Sequence, residues 1–342
     1  METEYSIFIS SAIDNVSSSD AKNILKQISN ESDLGFDSFS LIFKSLNNNF
    51  SLANLIKHLL VSIILIIALN LICSLFAGKN TLAVIKYSCS AVVSLSVTVP
   101  VYELIEQAAE YMSDISLFLG VLSPTVGILT AAGGNIASAK THGLLFSILL
   151  SAVQFLLSKI LPYVISLFIG LSIIDTLWGE RRLLPLSQFI RNTFFAIFAF
   201  LVAVFFLIVS VYSNSAAGSD TVNAKTLKLI ISKAIPIVGS TVSDSLKFLG
   251  TNIVTVKNSV GLTSVVFIFA LFIPTLILMW GSGIILNLFA VLCDYFGIGE
   301  FKGTVAHLKY AVDFALASYS VIVVAAFINI GYFMNTVPSV IS

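Results

Sequence analysis

The chain has 342 residues, of which 57% are hydrophobic and 11% charged, with 18 basic residues balancing 18 acidic ones. A soluble domain carries about a quarter charged residues, so a chain this apolar lacks the polar groups to cover a water-facing surface and must face lipid. Zero net charge leaves no basic field for nucleic acid, and no residue pattern points to an enzyme or to a bound cofactor.

Residues 1–57 differ from the rest. Glu2, Glu4, Asp14, Asp20, Glu31, Asp33 and Asp37 mix there with Lys22, Lys26, Lys44 and Lys57. Apolar residues recur at helical spacing, as in Ile24, Leu25 and Ile28, then Phe39, Leu41, Ile42 and Leu46. Ser18, Ser19 and Asp20 before Ala21 form a helix N-cap signal. The pattern predicts one or two amphipathic helices outside the bilayer or on its surface. Residues 1–20 lack the basic start and unbroken apolar core of a secretory signal.

Uncharged runs set the membrane helices, since a bilayer core takes about 20 apolar residues. They fall at 58–78, 87–102, 115–139, 141–158, 160–174, 192–219, 258–293 and 314–342. The run at 258–293 would make about 54 Å of helix, and Pro274, Gly281 and Gly283 are expected to bend or split it. The fold class is therefore all-α and polytopic, with roughly 8–10 membrane helices, some short or re-entrant.

Internal similarity predicts a tandem repeat. Pro124 and Pro236, like Leu161-Pro162 and Ile273-Pro274, stand apart by about 112 positions, and Gly179-Glu180 and Gly299-Glu300 by a similar interval. The organisation read from these signals is an N-terminal region at 1–57, a helix pair at 58–115, repeats at 116–213 and 229–334 around a polar linker at 214–228, and a tail at 335–342. Lysines 79 and 86 place the first loop in the cytoplasm, and the acidic stretch Glu103, Glu106, Glu110 and Asp114 reads as an outside loop. Arg181, Arg182 and Arg191 mark a cytoplasmic connection, as do Lys302 and Lys309, whereas Lys225 and Lys228 run against the rule.

Few residues invite chemistry. Cys73, Cys89 and Cys293 sit in apolar surroundings and read as packing residues; with no Cys/His cluster, no metal site is expected. His58, His142 and His307 read as interfacial. Asp175 and Asp294 precede the two Gly-Glu pairs and are candidate ion-pathway acids; the plainer alternative is that each ends a helix near the interface. Segments 124–138 and 236–250 are rich in small and polar residues. Pro124, Gly133, Gly134, Asn135, Lys233, Pro236, Gly239 and Asp244 are the candidates there, either lining an aqueous path or packing helices closely.

The block at 213–245, with its Ser/Gly/Ala loop, Asp220, Lys225, Lys228, Lys233, Ile-Pro-x-Val-Gly at 235–239 and Asp244, resembles the stage III sporulation protein AE family. QFIRN at 188–192, VKNSVG at 256–261 and the AAGG after Pro124 extend the likeness over about residues 55–335. The resemblance implies a multi-pass protein of the mother-cell membrane around the forespore. It would belong to the channel complex joining the two cells and serve late forespore gene expression as a pore- or permease-like subunit. Its implied partners are the other membrane proteins of the stage III operon and a forespore-side component. A structural scaffold and a stand-alone secondary transporter are the alternatives. Family members usually begin with a signal sequence, which is not read here, so a processed, truncated or differently started N-terminus is expected.

Overall fold

The computed structural model describes residues 2–30, 79–178, 183–200, 239–295 and 301–335, with isolated helical positions between 57 and 68 and between 202 and 207. Every regular element among them is helical. Two short helices open the chain, α1 (Glu2–Asn15) and α2 (Ser19–Asn30). Ser18 caps α2, its Oγ accepting the Ala21 N–H at 3.2 Å, as the Ser-Ser-Asp signal predicts.

Helix α3 (Lys79–Ala132) runs for 54 residues and joins the expected span at 87–102 to most of the one at 115–139, whose last residues fall beyond its end. The acidic stretch between them is no loop. Glu103, Glu106 and Glu110 lie on one exposed helical face, while Val101, Leu104, Ile105, Ala108, Met112 and Ile115 on the other are buried. Counting charges suggested a break, but their phase is that of an amphipathic helix.

Helix α4 (Ile136–Phe155) passes through a π turn (Leu156–Ile160) into α5 (Leu161–Trp178). Pro162 lacks an N–H and its ring crowds the preceding turn; the π turn just before it absorbs that mismatch. The expected spans at 141–158 and 160–174 are thus joined rather than separated by a loop. Helix α6 (Leu184–Val204) follows. Helix α7 (Gly239–Tyr295) is unbroken for 57 residues, and Pro274 does not split it. Tyr319 Oη donates to the Leu271 carbonyl at 3.0 Å and Thr275 Oγ1 to the same oxygen at 2.9 Å, so two side-chain hydroxyls serve a carbonyl in the turn before the proline. The same Pro-Thr pairing recurs in α3, where Thr125 Oγ1 donates to the Val121 carbonyl.

Helix α8 (Phe301–Asn335) is the axis of the bundle, packed by α3, α4, α5 and α7. Leu308, Ala311, Val312, Ala315, Tyr319, Val323, Ala326, Ile330 and Phe333 form its buried stripe, and the alanines let neighbouring backbones approach. Its antiparallel course along α7 is fixed by Lys309 against Asn287, Tyr319 against Phe272 and Phe333 against Lys257. Five helical segments among the described residues are long and apolar enough to cross a membrane, and Leu161–Asp175 is a shorter apolar one. The expected span at 58–78 falls almost wholly outside the described residues.

The N-terminal helices are not peripheral. Phe8, Ile9 and Ala12 of α1, Val16 just after it, and Leu25 and Ile28 of α2 belong to the same core as α3 and α7. Phe8 stacks edge-on to Phe118, which in turn meets Phe267. Tyr5 Oη and Thr263 Oγ1 share a hydrogen bond of 2.8 Å.

Candidate functional site

The most concentrated chemistry lies where α5 ends and α8 begins. Asp175, in the last turn of α5, places Oδ2 3.1 Å from Nε2 of His307, and both side chains are fully buried. The other carboxylate oxygen, Oδ1, accepts the Leu183 N–H at 3.3 Å at the entrance to α6. Leu183 in turn offers its carbonyl to the Ser187 N–H. One carboxylate therefore ties the end of α5, the start of α6 and the start of α8. Ser172 Oγ adds a bond to the Thr304 carbonyl one turn away on each helix.

A shell of aromatic and ionic contacts surrounds this junction. Arg191 of α6 donates to Asp313 of α8 at 3.5 Å. Its guanidinium also lies 5.0 Å from the Tyr310 ring and 5.4 Å from that of Phe195. Phe194, Phe195 and Phe198 then pack on Phe314. A planar, weakly hydrated guanidinium suits this stacked, half-dry setting better than an ammonium would. Removing one member of a buried pair such as Asp175–His307 costs about 3–5 kcal/mol, because the other charge or donor is left without compensation.

Asp175 thus does more than end a helix, and its partner is the histidine that the sequence placed at an interface. His307 is buried, with Nε2 on Asp175 and no partner for Nδ1 among the described residues. The two lie 132 positions apart, so no local spacing announces the pair. The second candidate acid, Asp294, lies in the last turn of α7, and its side chain is outside the described residues.

The glycine-rich candidates form a joint. Pro124 lies within α3. Gly134 adopts a left-handed φ of 86°, its N–H reaches the Ala131 carbonyl, and the Asn135 N–H reaches back to Thr130. These are the two crossed bonds of a glycine-terminated helix; Gly133 and Gly134 turn the chain and Asn135 opens α4. In the second segment Gly239 is the first residue of α7 and Asp244 lies in its second turn. The side chain of Asp244, and both Lys233 and Pro236, lie outside the described residues.

A second polar site went unread in the sequence. Asp114, expected in an outside loop, is fully buried on α3, and its Oδ1 accepts the N–H groups of Ser17 and Ser18 at 2.8 and 3.2 Å. A carboxylate at the start of α2 meets unsatisfied N–H groups and the positive end of the helix dipole together. Beside it, Tyr111 Oη donates to Asp20 Oδ2 at 3.2 Å. Among the described residues no three His, Cys, Asp or Glu side chains converge to hold a metal ion.

Apolar helices of spanning length, a lipid-type exterior and buried polar junctions define a multi-pass helical membrane protein. The sequence pattern of stage III sporulation protein AE matches residues 19–336, and the chain belongs to that family. It is 22% identical over 294 residues to the stage III sporulation protein AE of Bacillus subtilis (strain 168), covering 85% of this chain and 72% of that one. No solved structure matches it.

Proposed function

We propose that this chain is a non-enzymatic, pore- or permease-like subunit of the sporulation channel complex joining mother cell and forespore, resident in the mother-cell membrane around the forespore. The observation that carries the reading is family membership across 19–336 in a bundle with five segments apolar enough to span a membrane. Its partners are then the other membrane proteins of the stage III operon and the forespore-side component, and its output is late forespore gene expression. The segments 124–138 and 236–250 are the parts least suited to lipid and would line the path, with 116–213 and 229–334 as duplicated halves. A scaffold role draws support from the buried Asp114 and Asp175 junctions, which hold helices together.

The test starts from a spore-forming host lacking its own copy. Complementation by this gene should restore a late forespore reporter; full reporter activity without any copy would remove the reading altogether. Single cysteines at Gly133, Gly134, Lys233 and Asp244 should then react with a membrane-impermeant thiol reagent. Uniform protection of all four would discard the pore and leave the scaffold. Solute uptake by the purified protein alone in vesicles would instead favour a free-standing transporter.

A further inference from the structure

We propose that the break between α1 and α2, faced by Asp114 of α3, binds a monovalent alkali cation. The inference does not depend on whether the chain conducts. In a helix running on past Asn15, the N–H groups of Ser17 and Ser18 would serve the carbonyls of Ile13 and Asp14, four residues back. Both N–H groups instead donate to Asp114 Oδ1, at 2.8 and 3.2 Å. The last turn of α1 therefore ends in carbonyls without those donors, beside a carboxylate. The other carboxylate oxygen, Asp114 Oδ2, has no hydrogen-bond partner among the described residues, and the whole side chain is buried. The groups that these bonds leave over are acceptor oxygens.

The charge balance points the same way. The start of α2 offers Asp114 only about half a positive charge, and the end of α1 brings a similar negative one. Asp20 adds a second carboxylate, its Oδ2 accepting from Tyr111 Oη at 3.2 Å, one turn before Asp114. Among the described residues no basic side chain forms an ion pair with Asp114. The packing helices bring none, since 258–293 and 314–342 are uncharged and Lys257 lies over the Phe333 ring. Buried charges are paired or coordinate a metal ion, and hard cations take oxygen ligands. Helix breaks whose free carbonyls hold sodium recur in membrane proteins. One buried carboxylate with neutral oxygens suits a single positive charge; no three acidic, His or Cys side chains converge among the described residues to hold a divalent ion.

The experiment uses the full chain in lipid nanodiscs, comparing sodium chloride with choline chloride at equal ionic strength and one pH. Amide hydrogen exchange over residues 13–21 should slow saturably in sodium, by about tenfold at about ten times the half-saturating concentration. Asp114→Asn keeps an acceptor for the two N–H groups but removes the charge, and should lose the sodium response. Asp20→Asn leaves both Asp114 bonds in place and should raise the half-saturating concentration. Equal exchange in sodium and choline for the parent, or a full sodium response in Asp114→Asn, overturns the site. If Asp114→Asn does not fold, Asp20→Asn decides, and an unchanged half-saturating concentration there overturns it.

Discussion

Asp114 shows how a single side chain can hold two parts of the chain together. Its Oδ1, on a side chain that is itself fully buried, takes two backbone N–H groups leading into α2. Asp114→Ala would remove both bonds, at about 0.5–1.5 kcal/mol each. We expect this variant to loosen α1 and α2 from α3, read as faster backbone hydrogen exchange over residues 2–30 with exchange in α8 unchanged. Exchange in 2–30 identical to the parent would show that apolar contacts through Phe8 and Leu25 suffice. Asp114→Asn, which keeps an acceptor oxygen, should fall between the two.

At the scale of elements, close helix approach depends on where a side chain is missing. A Cβ added to Gly261 of α7 would stand 2.6 Å from Met334 Cγ of α8, whereas one added to Gly283 of the same helix meets nothing within 4 Å. Gly261→Val should therefore destabilise the α7–α8 pair by about 1–3 kcal/mol through overpacking. Gly283→Ala should be neutral or stabilising by up to about 1 kcal/mol through helix propensity. Thermal unfolding in detergent separates the two, and Met334→Ala should recover part of the Gly261→Val loss by making room. Equal melting of parent and Gly261→Val would mean that α8 does not approach α7 at that turn. The prolines act on the same scale. Pro274 predicts two short spans, yet α7 continues through it, with Thr275 and Tyr319 both donating to the Leu271 carbonyl in the turn before it. That compensation comes partly from another helix, and local sequence does not display it.

At the scale of the whole molecule, the Asp175–His307 and Lys309–Asn287 bonds place the end of α5 and the end of α7 at the same end of the bundle. Basic residues flank both: Arg181, Arg182 and Arg191 at one, Lys302 and Lys309 at the other. The charge rule then predicts that this end is cytoplasmic. Cysteines at the exposed Leu186 and Tyr295 should be labelled from the same side of oriented vesicles. Labelling from opposite sides would refute the arrangement.

The all-α membrane class, the family and the N-cap of α2 were legible in the chain, because each rests on local composition, periodicity or short spacing. Asp175 was also visible as an acid out of place in an apolar helix. Its role was not, since His307 is distant in sequence and looks like any interfacial histidine until α8 is laid against α5. The acids of 103–114 were read as a loop because charge was counted without helical phase, and only packing of α1 and α2 on α3 separated the exposed glutamates from buried Asp114. The sequence by itself determined what solvent each segment prefers, a property of residues within one or two turns. Tertiary structure alone decided which polar groups are partners, because in an interior without water a buried charge is stabilised by whichever distant helix brings the complementary atom to it.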